Sequence, residues 1–357
     1  MKEPSRRSCA FGGKCQIAAA FVLSSFGVLA VYLLPSDVKG QLAEIHGDFV
    51  AAPTTLCRHG IDPAFLPVKI LARSTKPEGH EFCMYLHDHR FDSWLSREIY
   101  KNGMVEPHVT QFLKEHIEIV AETGAQRIHV LDVGGNIGWT TLFSLAVDPR
   151  VVVTVAEPLP WHRELLEASV KLNDWEDRVR IIPKALTRES QLQATSALCM
   201  TVNPGNAAST MVKNRLTKQQ CAEQGGNMVE MTTIDRALEE NKFGPVDILK
   251  IDVEGYEPWA LEGAPQLLSN SAPRAVISEW IGFRIKATGW EHPPPDFFDK
   301  FFPPDNWSYS VAGIDYVKGY EGVKNLTHCW EQPSCKFYNG GDIIFLRKTQ
   351  PKQHRVR

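Results

Sequence analysis

Between residues 127 and 280, short aliphatic runs alternate with segments whose apolar residues recur at helical spacing. The aliphatic runs are RIHVLDV, VVVTVAEP, RVRIIPKAL, VEMTT, VDILKIDVEG and RAVISEW. Such alternation is typical of a parallel sheet whose crossover helices cover both faces. We therefore predict an α/β fold with a doubly wound, mostly parallel sheet. GDIIFLRK near the C terminus is a candidate for the last strand, and the polar stretch 187–226 has room for a hairpin.

A glycine-rich turn, LDVGGNIGWT at residues 131–140, follows the first of these strands. The dinucleotide fingerprint needs glycines at i, i+2 and i+5, and here its first glycine would fall on Val133. A P-loop ends in Gly-Lys-Ser or Gly-Lys-Thr, whereas this turn ends in Gly-Trp-Thr. The turn therefore matches neither pattern.

Glu157 ends the second strand, 25 residues after Asp132. A carboxylate at this place accepts hydrogen bonds from a ribose diol, and small turn residues let the backbone approach a ligand. Because the turn lacks the pattern for a pyrophosphate, a nucleoside joined to an amino acid, such as S-adenosylmethionine, fits better than NAD. Plainer interpretations are a turn cap for Asp132 and a strand-end charge for Glu157.

Two blocks of the sequence resemble a known family. LDVGGNIGWTT with the later AEP resembles the class I S-adenosylmethionine-dependent methyltransferases, and DILKIDVEGYEPWALEGA with ISEW resembles their FkbM group. The resemblance covers about residues 88–346, and it is weakest after Trp280. It implies a Rossmann-like sheet of the class I methyltransferase type, with S-adenosylmethionine as the cofactor.

The resemblance also implies positions for the site. The residues implied for cofactor binding are Asp132, Gly134, Asn136, Gly138, Glu157, Lys184 and Ala185. Asp252 and Glu254 match the carboxylates that face the methyl group and the substrate, and either is a candidate general base. A structural network with Lys250 or a helix cap are the alternatives for this pair. Glu279 is a further candidate for the same cleft.

The N-terminal segment CQIAAAFVLSSFGVLAVYLL, residues 15–34, carries no formal charge and is long enough to cross a bilayer as a helix. Basic residues precede it, which predicts a cytoplasmic tail at 1–14, a transmembrane signal anchor at 15–34 and a single-pass type II topology. A cleaved signal peptide and a buried core helix are the alternatives. We expect a stem at 35–80 and the methyltransferase domain at 81–350, starting with a helical cover.

Other features bear on the compartment and on partners. Six cysteines follow the candidate anchor, and Asn306 and Asn325 lie in glycosylation sequons. Both features predict a lumenal domain in the endoplasmic reticulum or Golgi. A formal net charge of −3 gives no reason to expect a nucleic-acid partner.

Neither the histidines nor the C-terminal aromatics indicate a separate site. His87 and His89 flank Asp88, but no second cluster at zinc-like spacing follows, and we predict no metal site. The aromatic residues of the C-terminal part are Trp290, Phe297, Phe298, Phe301 and Phe302. We expect them to pack in an irregular cap, with a sugar-binding wall as the alternative.

The predicted function is a membrane-bound, S-adenosylmethionine-dependent O-methyltransferase. Its predicted acceptor is a hydroxyl of a glycan, a glycoconjugate or a small molecule in the secretory pathway. One alternative is a membrane-tethered, NAD-dependent sugar-nucleotide oxidoreductase. The other is a non-catalytic binding module on the same fold.

Overall fold

The computed structural model describes residues 72–88, 92–203, 206–213, 216–239, 243–291, 294–329 and 341–348. The predicted tail, signal anchor and most of the stem lie outside these residues. Among the helices within the described ranges, none is both long and apolar enough to cross a membrane.

Strands and helices alternate through most of the described chain. The strands are β1 (Ala72–Thr75), β2 (Phe82–Tyr85), β3 (Ile128–Val133), β4 (Val151–Ala156), β5 (Val179–Ile182), β6 (Ala185–Leu186), β7 (Ala197–Asn203), β8 (Asn206–Lys213), β9 (Asn227–Thr232), β10 (Ile248–Ile251), β11 (Ala275–Trp280), β12 (Trp307–Val311), β13 (Ile314–Lys318) and β14 (Gly341–Arg347). The α-helices are α1 (Leu95–Asn102), α2 (Pro107–Glu122), α3 (Trp139–Val147), α4 (Pro160–Leu172), α5 (Glu189–Ala194), α6 (Lys218–Glu223), α7 (Ile234–Glu239), α8 (Glu257–Glu262), α9 (Pro265–Asn270), α10 (Gly282–Ala287), α11 (Pro294–Phe301) and α12 (Tyr320–Cys329). Short 3-10 helices span Pro77–Gly79 and Glu176–Arg178.

The main sheet has eight strands in the order β13-β12-β14-β11-β10-β3-β4-β5. The five strands from β11 to β5 pair in parallel, whereas β14, β12 and β13 add three antiparallel pairings. The α/β fold is confirmed, and the sheet is mixed, with four parallel pairings and three antiparallel ones. β14, predicted as the last strand, lies inside the sheet between β11 and β12. Antiparallel neighbours need no crossover helix, so β12 and β13 can follow each other through a tight hairpin.

The two faces of the sheet bury two separate apolar cores. Val130 and Ile248 belong to one core, and the adjacent residues Leu131 and Leu249 belong to the other. Successive side chains of a strand point to opposite faces, so a strand covered on both sides reads as a continuous aliphatic run. Every residue of β3 and β4 is buried accordingly.

A second, four-stranded sheet has the order β6-β9-β7-β8. The predicted strand VEMTT contributes to β9 of this sheet, and β7 and β8 form the antiparallel hairpin expected in the polar stretch. A disulfide between Cys199 and Cys221 joins β7 to α6. Cys83 is also disulfide-bonded.

The N-terminal cover begins earlier than predicted. β1 pairs antiparallel with β2, so residues 72–75 belong to the fold and not to the stem predicted at 35–80. The amide of Tyr85 donates to Ser169 Oγ at 2.8 Å, and the amide of Cys83 donates to Asn173 Oδ1 at 2.9 Å. These bonds fix β2 on α4. The two predicted cover helices are α1 and α2.

The C-terminal aromatics are core residues of a regular helix. Phe297, Phe298 and Phe302 are fully buried, and Phe302 stacks on Phe345 of β14 with 3.9 Å between ring centroids. The packing interpretation is therefore confirmed for these three rings. The prediction of an irregular cap was wrong, since Phe297 and Phe298 lie in helix α11. The alternative, a sugar-binding wall, is incompatible with the burial of these three rings.

Candidate active site

A cleft opens at the carboxyl ends of β3, β4 and β10, which is where ligands bind in open α/β sheets. It holds about 880 Å³ of empty space, open solvent at its mouth included. Leu95 and Glu106 line it from the N-terminal cover, and residues of β7 and β8 line it from the second sheet.

The glycine-rich turn forms one wall of the cleft. Gly134 has φ +87°, and a Cβ there would lie 1.8 Å from the carbonyl oxygen of Asp252, so only glycine fits. Lys250 Nζ donates to the carbonyl of Gly134 at 2.9 Å. Asn136 has φ 49°, a left-handed conformation that asparagine tolerates better than most residues. Gly134 and Asn136, both predicted to bind the cofactor, line the cleft.

Asp132 and Gly138 lie behind the turn and not on the cleft lining. Asp132 is fully buried, and its Oδ2 accepts from Thr140 Oγ1 at 2.6 Å and Thr141 Oγ1 at 2.7 Å. A Cβ at Gly138 would lie 2.5 Å from Leu166 Cδ1. Both residues face the protein interior, and direct cofactor contact at these two positions stays a prediction. Their position suits them to hold the turn against α3 and α4.

Glu157 lies at the end of β4 with its carboxylate on the cleft wall. Its Oε2 accepts from the amide of Asn136 at 2.9 Å, and its Oε1 accepts from the amide of Leu159 at 2.8 Å. His162 Nδ1 lies 3.4 Å from the same Oε1. Both oxygens are thereby oriented, and Oε2, which accepts one hydrogen bond, keeps a second lone pair for a ligand hydroxyl.

Lys184 and Ala185 line the opposite side of the cleft. Lys184 Nζ lies 3.2 Å from Glu230, but both side chains are substantially exposed, so solvent screens this pair. Leu198 and Met200 of β7 line the same side. This side offers an apolar wall with a single cation at its edge.

Lys250 connects the turn to the carboxylate end of the cleft. Its Nζ lies 3.5 Å from both Asp132 Oδ1 and Asp252 Oδ2. Burial alone would lower the pKa of Lys250, but Asp252, Asp132 and Glu106 raise it above its usual value, so the ammonium stays charged. The predicted network between Asp252 and Lys250 is therefore present, and Asp252 lines the cleft as well.

Glu254 also lines the cleft, but it forms an ion pair with Arg284. Both members of the predicted pair therefore have a cationic partner, Lys250 for Asp252 and Arg284 for Glu254. The backbone of this segment is bonded by Glu257, whose Oε1 accepts from the amides of Val253 at 2.9 Å and Gly255 at 3.1 Å. Neither Asp252 nor Glu254 caps α8, because the described N terminus of this helix has no side-chain cap.

Glu106 is a functional candidate that the sequence did not reveal. It lines the cleft from the residue before α2, and burial followed by repulsion from Asp252 raises the pKa of its carboxyl to about 7. Nearby, His108 Nε2 contacts Asp342 Oδ2 at 2.6 Å, and this hydrogen bond raises the pKa of His108. Asp342 lies in β14, 234 residues from His108 in the chain, so no local pattern could join them.

Glu279 lies near the acidic residues Glu106 and Asp342 but does not line the cleft. In the β11–β14 register it pairs with Asp342. Burial, followed by repulsion from Asp252 and Glu257, raises the pKa of Glu279 well above its usual value. Its placement near Asp252 agrees with the expectation of a shared region, although the carboxyl sits behind the cleft wall.

The histidines around Asp88 form no metal-ligand group within the described residues. His87 is buried, and its ring centroid lies 5.3 Å from that of His162. His89 and His292 lie outside the described residues.

The residues at the cleft fit a ligand with a nucleoside and positively charged groups. Seven carboxylates concentrate at one end, against the cations Lys250, Arg284 and His108. The carboxylates are Glu106, Asp132, Asp252, Glu254, Glu257, Glu279 and Asp342. The other end offers the oriented Glu157 and the apolar wall. S-adenosylmethionine, whose sulfonium and ammonium groups carry positive charge, suits this distribution.

Comparisons with known proteins agree on a family. Residues 132–301 match the Methyltransferase FkbM domain. The chain is similar to methyltransferase sdnD of Sordaria araneosa, with 26% identity over 175 residues that span 42% of this chain and 66% of that protein.

Two solved structures align with part of the chain. An O-methyltransferase from Bacillus cereus in complex with SAH is 14% identical, with 69% of this chain and 83% of that chain covered and a TM-score of 0.34. A SAM-dependent methyltransferase from Agrobacterium tumefaciens is 12% identical, with 80% of this chain and 71% of that chain covered and a TM-score of 0.39.

Proposed function

Because the chain belongs to the FkbM family of S-adenosylmethionine-dependent methyltransferases, we propose that its cleft transfers a methyl group to a hydroxyl oxygen of an acceptor. The observation that carries this proposal is a cleft with two different ends. One end holds the Gly134 turn with Glu157, and the other holds Glu106, a buried carboxyl whose pKa is raised to about 7. The family overturns the alternative of an NAD-dependent oxidoreductase.

Within this proposal, Glu157 accepts hydrogen bonds from the ribose, and Ala185 with the apolar wall contacts the adenine. Asp252 and the other carboxylates face the positively charged end of the cofactor. When bound, S-adenosylmethionine supplies an activated methyl group, which leaves the protein to position the acceptor and accept a proton. Asp132 and Gly138 support the turn from behind.

Glu106 is the proposed general base, with Asp252 as the second candidate. A base works best when its pKa lies near the working pH, which the raised pKa of Glu106 provides. Asp252 shares the Lys250 ammonium with Asp132, and Glu254 pairs with Arg284, so each already has a cationic partner. A base is needed because an alcohol oxygen must lose its proton as it gains the methyl group.

For the acceptor we propose a sugar hydroxyl on a glycan or glycoconjugate in the lumen of the secretory pathway. The disulfide Cys199–Cys221 supports an oxidising compartment. Asn306 and Asn325 of the two sequons are both exposed. We also propose that residues 15–34 anchor the chain as a type II membrane protein in the endoplasmic reticulum or Golgi.

The central test is calorimetric titration of the full-length protein with S-adenosylmethionine, S-adenosylhomocysteine and NAD. We expect the two sulfur nucleosides to bind and NAD not to bind; failure of both to bind would refute the proposal. Candidate glycans are then screened with labelled cofactor, scored by mass gain. Transfer to an amine or a carbon instead of an oxygen would overturn the hydroxyl assignment.

The compartment is tested separately by expression in a secretory host. Glycosidase treatment should increase the mobility of the wild-type chain. The variants Asn306→Gln and Asn325→Gln should each remove part of that change. A chain with no glycan at either position would count against a lumenal domain.

A further inference from the structure

We propose that Asp252, Glu257 and Glu279 form a binding site for a hard divalent cation, such as Ca²⁺ or Mn²⁺, at the inner wall of the cleft. One carboxylate oxygen from each of the three lies within 4.8 Å of the others. Two oxygens on opposite sides of a Ca²⁺ ion at about 2.4 Å are about 4.8 Å apart, so the three can share one ion. Carboxylate oxygens are the ligands that such cations prefer.

The orientation of Glu257 is the second observation that points to a ligand. Its Oε1 is occupied by the amides of Val253 and Gly255, which fixes the plane of the carboxylate. Its Oε2 is buried and has no hydrogen-bond partner among the described residues, and the side chain as a whole is fully buried. Backbone bonds that orient one oxygen while the other stays open are typical of the surroundings of a metal ligand.

Glu279 presents a similarly buried oxygen. Its Oε2 also lacks a hydrogen-bond partner within the described part of the chain. The register pairs Glu279 with Asp342 across β11 and β14, so a second acid rather than a cation stands opposite it. Like charges directly opposite each other destabilise a sheet. Asp342 is bound by His108, and this contact neutralises Asp342 and not Glu279.

Among the described residues, no ion pair reaches Glu257 or Glu279, and Asp252 has only a shared cation. Lys250 lies 3.5 Å from Asp252 but is shared with Asp132, and Arg284 contacts Glu254. A buried carboxylate without a partner is costly, so a proton or a cation must compensate for it. Without an ion, protons compensate; three oxygens grouped within reach of one ion give a divalent cation a site in their place.

Asp252 lines the cleft, whereas Glu257 and Glu279 lie behind it, so a bound ion would keep open coordination positions toward the cleft. An ion there would polarise an acceptor hydroxyl and favour loss of its proton to Glu106. This catalytic role rests on the proposed methyl transfer, but the binding site itself does not. The two are therefore tested by separate measurements.

The test uses the full-length protein, freed of metal with EDTA and titrated in the absence of cofactor. Calorimetry with CaCl₂ and the loss of free Mn²⁺ signal in electron paramagnetic resonance should each show one site per chain. Glu279→Gln and Glu257→Gln should each weaken binding by at least about 10-fold. Glu167→Gln, an exposed position on α4, is the matched control and should leave the affinity unchanged.

Absence of stoichiometric binding, or equal affinity in wild type and both variants, would overturn the proposed cation site. Thermal unfolding shows whether each variant is folded. If Glu257→Gln does not fold, the affinity of Glu279→Gln alone tests the site. S-adenosylhomocysteine titrated in EDTA reports on the cofactor end independently. Cofactor binding without cation binding would remove this inference and leave the methyltransferase proposal intact.

Discussion

The two ends of the cleft are built in opposite ways. At the turn end, Gly134, Asn136 and Glu157 follow two consecutive strands, and their polar groups bond to one another and to neighbouring amides. At the carboxylate end, Glu106 and Glu279 come from distant elements, and burial together with repulsion from Asp252 raises the pKa of both carboxyls. The first end is preorganised for binding, whereas the second stores the titratable groups that chemistry needs. Binding and turnover should therefore be separable by mutation.

The largest expected effect comes from filling the space at the turn. A Cβ at Gly134 would overlap the Asp252 carbonyl, and the required φ of +87° adds strain. We expect Gly134→Ala to cost at least about 4 kcal/mol in cofactor binding, roughly a 10³-fold loss of affinity. Calorimetry with S-adenosylhomocysteine measures this loss.

Gly225→Ala is the matched control for this variant. Gly225 also has a positive φ, +68°, but its Cβ would meet nothing within 4 Å. The Gly225→Ala variant has a similar backbone strain but no steric overlap, so it should bind S-adenosylhomocysteine as tightly as wild type does. Equal losses in the two variants would mean that backbone strain, and not the close approach of the turn to β10, controls binding.

Glu106→Gln tests the other end of the cleft. Loss of a general base lowers the rate by about 10²- to 10⁴-fold, while S-adenosylhomocysteine affinity should stay near wild type. Because the pKa of Glu106 is raised to about 7, the wild-type rate should rise as pH increases through 7. The variant should lose this rise. Glu254→Gln is the comparison and should lose less activity, since Glu254 is ion-paired with Arg284. A larger loss in Glu254→Gln would restore Glu254 as the base.

Glu257 should make stability depend on pH. Burial raises the pKa of Glu257 from 4.5 to about 7, so the folded state binds the extra proton. The resulting stability is present below pH 4.5 and is lost as pH rises through 7, by roughly 3 kcal/mol. Glu257→Gln keeps an acceptor for the two amides but does not titrate.

The free energy of unfolding in urea, measured in EDTA at pH 5 and pH 8, tests this dependence. The Glu257→Gln variant should be more stable than wild type at pH 8, with a smaller difference at pH 5. EDTA prevents a bound cation from masking the effect. Parallel pH profiles for wild type and variant would show that Glu257 does not titrate between these values.

The contrast between the two ends also explains what the sequence could predict. The turn, Glu157 and the parallel strands follow from spacings within about 30 residues, and they lie where that spacing requires. The same pattern does not reveal that Asp132 and Gly138 face inward, because strand-end residues alternate between cleft and core. The grouping of Glu106 with Glu279 and Asp342 depends on long-range strand order, which no short motif encodes.

The smallest effect is expected at Lys184, on the edge of the apolar wall. Its side chain is 40% exposed and its partner Glu230 is 73% exposed, so the ion pair is worth at most about 1 kcal/mol. Lys184→Ala should weaken S-adenosylhomocysteine binding by no more than about fivefold. Glu230→Gln removes the partner without changing the cleft lining and should have no effect. A loss near 100-fold for Lys184→Ala alone would show that the cation contacts the cofactor directly. Cofactor binding at the apolar wall would then depend on charge. In that respect the turn end of the cleft would resemble the carboxylate end, although its contacts in the structure differ.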